Sequence, residues 1–179
     1  MALYMVTAID RLVERQDAVL NFLRDSNQLS MALDFEDSYR KLLVMACGSL
    51  FESHLVAHIY DFARSAADIR VAELVKNKAL NRQYHTLFNW DAANVNQFLA
   101  VFGDAYKQRI SSELNANISL NQGVRDFLQL GAERNRLAHG NLGEISPDLT
   151  VQEIKDKFYS AWSFLQYLSG TLTIDSSAV

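Results

Sequence analysis

Arg134-Asn135-Arg136-Leu137-Ala138-His139-Gly140-Asn141 closes a run whose apolar residues recur at helical spacing. Leu120, Val124, Phe127, Leu128, Leu130 and Leu137 fall on one side of a helix, and Gly140 and Gly143 stop it just beyond His139. A cation and an imidazole are therefore expected near a helix C-terminus. In that place they can simply bond the last free carbonyls and favour the negative end of the helix dipole. With eleven Arg and four His in 179 residues, an Arg-x4-His spacing is about a one-in-four coincidence, so spacing alone decides little.

Working towards the N-terminus, the same period governs the rest of the chain. Val6, Ile9, Val13, Leu20 and Leu23 mark a first helix from about Tyr4 to Arg24, broken at Ser26-Asn27. A longer second helix begins between Leu29 and Asp37 and runs to about Ala67. Its face from Tyr39 through Leu43, Leu50, Leu55 and Ile59 to Phe62 is apolar over many turns, as a central helix requires. Gly48 in its middle costs about 1 kcal/mol relative to Ala, which points to a close helix–helix approach there.

A middle insert follows. Asp68 caps a short helix from Ile69 to Lys78, and residues 81–89 read as a loop. Asp91 or Asn94 caps a helix through Phe98 to Val101, and Gly103-Asp104 acts as break and cap for one ending near Leu114. Ser119 with Gln122 forms a capping box for the motif helix, and Thr150 with Glu153 forms another for a last helix from Val151 to about Gly170. Residues 1–172 make a single all-α domain, and 173–179 read as a frayed tail.

Composition narrows the function classes. A hydrophobic content of 49%, seven Gly and one Pro suit a helical globule. The lone Cys47 allows no internal disulfide and fits the cytoplasm, and no apolar run of membrane-span length or signal peptide is read. A net charge of −4 disfavours a general nucleic-acid coat and leaves room for a local contact. His54, His58 and Asp61 stand at i, i+4 and i+7, a spacing that ordinary packing explains better than a metal.

The motif in its context resembles the HEPN superfamily, helical and usually dimeric domains in which an Arg and a polar residue precede a His by a few positions. Here these are Arg134, Asn135 and His139. Leu50-Phe51-Glu52-Ser53-His54-Leu55 resembles the aromatic-Glu segment of the RiboL-PSP-type proteins' second helix. Tyr84-His85-Thr86-Leu87-Phe88-Asn89-Trp90 through Phe98 to Phe102-Gly103 resembles their middle segment. The resemblance spans roughly residues 35–170.

It implies an antiparallel bundle of about five or six helices, a homodimer and a metal-independent endoribonuclease without cofactors. RNA would be cut to leave a 2′,3′-cyclic phosphate, with a bacterial toxin or phage-defence setting and a cognate antitoxin or regulatory protein as a further partner. Carried over, His139 is the acid/base, Arg134 the phosphate clamp, and Asn135 orients the His or the phosphate. Glu52 either fixes Arg134 or Arg136 or lies at the helix surface, and Arg136 is a solvated or RNA-backbone cation. The competing reading is an inactive helical dimer that binds RNA or protein. Some relatives carry an acceptor Tyr two residues after the His; Asn141 stands there, so the implied activity does not extend to the adenylylated toxin–antitoxin version.

Five residues of separation is about 500° of helical rotation, so on an unbroken helix Arg134 and His139 would point about 140° apart. Unwinding at Gly140 or pairing with a second copy would bring them together.

Overall fold

The computed structural model describes residues 7–81 and 83–172; within them the chain forms seven α-helices and no strand. They are α1 (Ala8–Asp25), α2 (Leu29–Ala66), α3 (Ile69–Val75), α4 (Asn96–Ala100), α5 (Asp104–Ala116), α6 (Ile118–His139) and α7 (Val151–Thr171). The resemblance implies about five or six; the three insert helices read from the sequence, two of them short, bring the count to seven. The frayed tail and the first residues of the expected first helix lie outside the described residues.

The chain divides into two compact units. The first takes the chain up to Leu50 together with Leu130–Asp156, and the second takes Phe51–Gln129 together with the chain from Lys157 on. The boundaries fall inside α2, α6 and α7, with no linker at any of them.

In the first unit, Thr7 and Asp10 close a capping box on α1, Asp10 N–H donating to Thr7 Oγ1 at 3.1 Å. Asn27, at φ 57°, turns the chain into α2. The core is Ile9, Leu20, Tyr39, Leu43, Val44, Cys47, Leu137 and Ile154. Asp17 of α1 accepts from Tyr39 Oη of α2 and from Lys155 Nζ of α7, each at 3.0 Å. Burial pushes the Cys47 thiol far up, which leaves it an inert core group.

In the second unit, Phe127 of α6 is the hub of an aromatic core. Its ring centroid lies 5.0 Å from Phe88, 5.5 Å from Phe51 and 5.7 Å from both Trp90 and Phe164. Of the aperiodic stretch, residues 83–89 are therefore docked: Tyr84 and Phe88 are buried, and Trp90 donates to the His85 carbonyl at 2.9 Å. A side chain at Gly123 would meet the Ser160 carbonyl at 2.6 Å, so this glycine lets α6 approach α7.

Several expected helix ends shift. Asn117, the one residue between α5 and α6, accepts the Leu120 amide at 3.0 Å. Ser119 therefore lies inside α6, and Gln122 donates to Asp126 instead of closing a capping box. Gly103, at φ 96°, holds the cap position of α5 and puts Asp104 in the first turn. Asp68 caps α3 as expected, but α3 ends at Val75 and passes into a π-helical turn, Lys76–Leu80. The Thr150–Glu153 capping box opens α7 in both directions, at 2.8 and 3.2 Å.

α2 also corrects the expectation that no apolar run matches a membrane span. It holds an 18-residue window of mean hydropathy 1.5, enough by length and composition. Leu43, Val44, Cys47, Phe51 and Leu55 of this helix are fully buried within the protein, as core-helix residues are.

Candidate functional site

The motif lies in the first unit, at the end of α6. A methyl placed on Gly48 of α2 would sit 2.7 Å from Arg134 Cγ and 3.1 Å from Arg134 Cβ. The close approach expected at Gly48 is thus made against the aliphatic stem of Arg134. At its far end Arg134 Nη1 donates to Asn135 Oδ1 at 3.1 Å. Asn135 therefore engages the guanidinium, not the imidazole.

α6 continues unbroken through His139, and the Gly140 amide still bonds the Arg136 carbonyl at 3.0 Å. Unwinding at Gly140 therefore comes too late to turn His139 towards Arg134. The two side chains keep the wide angular separation of an intact helix, about 140°. Arg134 and Asn135 are half-buried and His139 is exposed. Among the described residues no hydrogen bond or ion pair holds the His139 side chain. Glu52 is half-buried on α2, one turn after Gly48.

Arg136 has a different task. Its guanidinium grips Glu133 one turn back and donates to the Ser146 carbonyl at 2.6 Å, so it ties the loop after the motif to α6. From α2, Lys41 Nζ donates to the Leu142 carbonyl at 2.8 Å and Arg40 to the Pro147 carbonyl at 3.2 Å. Asp37 pairs with both cations, at 2.8 and 2.9 Å. Hydrogen bonds from Lys41 and from the Ser146 hydroxyl hold the Asp37 carboxyl below its usual range. The loop folds on itself as well: Asn141 Oδ1 accepts the Gly143 amide at 3.1 Å, and the Asn141 carbonyl accepts from Glu144 and Ile145. Asn141, placed where some relatives carry Tyr, is thus a loop-forming residue.

Sequence reasoning missed Asp37, Arg40 and Lys41 as the loop's anchors. The available signal was an acid followed at i+3 and i+4 by two cations on the second helix.

In the second unit, the His54 and His58 rings lie 4.3 Å apart, with Trp162 4.6 Å from His54. His54 Nε2 shares a hydrogen bond with Ser169 Oγ at 2.9 Å. Burial, then the neighbouring His58, pulls the His54 imidazole down to about 4. Among the described residues, no three His, Cys, Asp or Glu side chains are grouped to hold a metal ion.

The RiboL-PSP-HEPN family model matches residues 10–173, nearly the whole chain. The protein belongs to the RiboL-PSP-HEPN family. No curated protein and no solved structure matches it. Membership in this HEPN family suggests a role in RNA cleavage or RNA binding, while any specific chemistry must rest on the site itself.

Proposed function

We propose that this HEPN protein is a metal-independent endoribonuclease that works as a homodimer. The observation that carries the reading is the exposed His139 imidazole, uncommitted on the same helix as an Arg134 that is already held. If the two residues served only the helix end, His139 would bond a terminal carbonyl; the cation that does so much for this region is Arg136, and its carbonyl partner lies in the loop. An uncommitted imidazole suits proton transfer between the ribose 2′-hydroxyl and the leaving oxygen, since histidine ordinarily changes charge near neutrality. A guanidinium supported at both ends suits the pentacoordinate phosphate, whose charge grows in the transition state.

The 2′-oxygen attacks the adjacent phosphorus, the P–O5′ bond breaks, and the products end in a 2′,3′-cyclic phosphate and a 5′-hydroxyl. Because α6 stays intact, Arg134 and His139 of one chain diverge, and a second copy supplies the complementary residue. A bacterial toxin or phage-defence role, with a cognate antitoxin or regulatory protein as partner, completes the reading.

The test is RNA cleavage in EDTA. Wild-type protein should produce cyclic-phosphate ends, and His139→Ala should lose at least about 10²-fold in rate, the typical share of a general acid/base. The variant should remain folded, since the side chain is exposed. Full activity in His139→Ala, or activity abolished by chelator, would overturn the reading in favour of an inactive dimer that binds RNA or protein.

A further inference from the structure

α2 carries more apolar surface than its own chain covers. Only 39% of its 18-residue apolar window is buried within the protein, whereas a helix that is apolar all round is ordinarily buried all round. In the first unit the uncovered part is a stripe. Met31, Phe35, Ser38, Leu42, Met45 and Ser49 follow one another at spacings of four and three, and at about 100° per residue they fall within about 80° of one another. Met31 and Leu42 are 59% and 46% exposed, Ser38 and Ser49 are exposed, and Phe35 and Met45 are half-buried. The fully buried Leu43, Val44 and Cys47 stand on the opposite side of the helix.

A stripe with this spacing is the seam that receives a second helix, knobs into holes. No charged side chain stands on it, and Ser49 Oγ donates to the Met45 carbonyl at 2.9 Å, so that hydroxyl is already satisfied for a dry contact. Phosphate backbones and lipid surfaces both draw on lysine and arginine, which the stripe lacks. The motif beside the stripe says which helix covers it. Gly48, against which Arg134 packs, and Lys41, which donates to the Leu142 carbonyl, stand about a quarter turn from the stripe's centre. The motif therefore runs alongside residues 41–48 of α2, next to the seam.

We propose that this stripe is the homodimer seam, covered by the same stripe of a second copy in antiparallel two-fold contact centred on Leu42 and Met45. Leu42 then meets the partner's Met45, Met45 meets the partner's Leu42, and on either side Ser38 meets the partner's Ser49. Large residues fill the centre and small ones let the helices close around it, as a self-complementary two-fold contact requires. The two motifs come to lie side by side at one level and run in opposite directions, which brings Arg134 of one copy towards His139 of the other. The inference rests on the homodimer of the proposed function and gives it an interface, but it is read without cleavage.

Disulfide trapping in the full-length protein tests the register. Positions 38 and 49 are about 16 Å apart along one helix, too far for a bond within a chain. Under mild oxidation the double variant Ser38→Cys/Ser49→Cys should therefore run as a covalent dimer on a non-reducing gel, and neither single variant should. Leu42→Glu, at an exposed position, should stay helical by circular dichroism and raise the dimer dissociation constant at least about a hundredfold, because each dimer loses two central contacts. Leu33→Glu, 70% exposed and away from the stripe, should leave the dimer unchanged. A dimer that does not cross-link, or that survives Leu42→Glu, would overturn the seam and leave the homodimer standing. A monomeric wild type would overturn both and give the stripe to a different protein. Cross-linked dimers that cut no RNA would support the seam and defeat the endoribonuclease reading.

Discussion

Gly48 shows how a single residue sets the site. In a helix interior Ala is preferred over Gly by about 1 kcal/mol, yet an alanine Cβ here would stand 2.7 Å from Arg134 Cγ. The clash is with the base of the side chain, so Arg134 cannot swing its tip aside and must shift as a whole. Gly48→Ala should therefore lower RNA cleavage at least tenfold, and overpacking of about 1–3 kcal/mol should outweigh the propensity gain in thermal unfolding. Undiminished cleavage would show that Arg134's position does not depend on the glycine.

His54 makes a separate prediction about stability. Its folded value of about 4 lies below the roughly 6.5 of an unfolded histidine. As pH falls from about 6.5 towards 4, the unfolded chain takes up a proton that the folded one refuses, so stability present above that window is lost within it. Melting at pH 7 and pH 5 should show a smaller loss in His54→Gln than in wild type. Equal losses would contradict the burial argument.

Among the elements, the long helices were the most legible in the sequence. The apolar face of α2, the capping box of α7 and the stop after His139 follow from period and capping chemistry, which act within a turn or two. The meaning of Gly48 was legible only in half: close approach was readable, but not that Arg134 makes it. What escaped depends on contacts far apart in sequence or on competing local bonds. Asn117 captured the start of α6 from Ser119, and the aperiodic segment 83–89 gained its order from Phe127.

The loop after His139 belongs to the same class, because carbonyl anchors leave no sequence pattern in the loop they hold. Lys41→Met removes both the bond to the Leu142 carbonyl and the pair with Asp37. Amide hydrogen exchange across residues 140–146 should rise and cleavage should fall severalfold, while stability changes by about 1 kcal/mol or less, as for partly exposed pairs. Unchanged exchange would mean that Arg40 and Arg136 hold the loop without it.

At the scale of the whole molecule, an intact α6 makes a strong demand. Arg134 and His139 of one chain point apart, so on the proposed dimeric reading a working centre takes Arg134 from one copy and His139 from the other, related by the two-fold symmetry usual in homodimers. Mixing separately inactive Arg134→Ala and His139→Ala proteins under conditions that exchange subunits measures this directly. Random pairing makes about half the dimers mixed, each with one of two centres complete, so the mixture should recover about a quarter of wild-type RNA cleavage. No recovery, with mixed dimers demonstrated by light scattering and mass spectrometry, would contradict a centre shared between two copies.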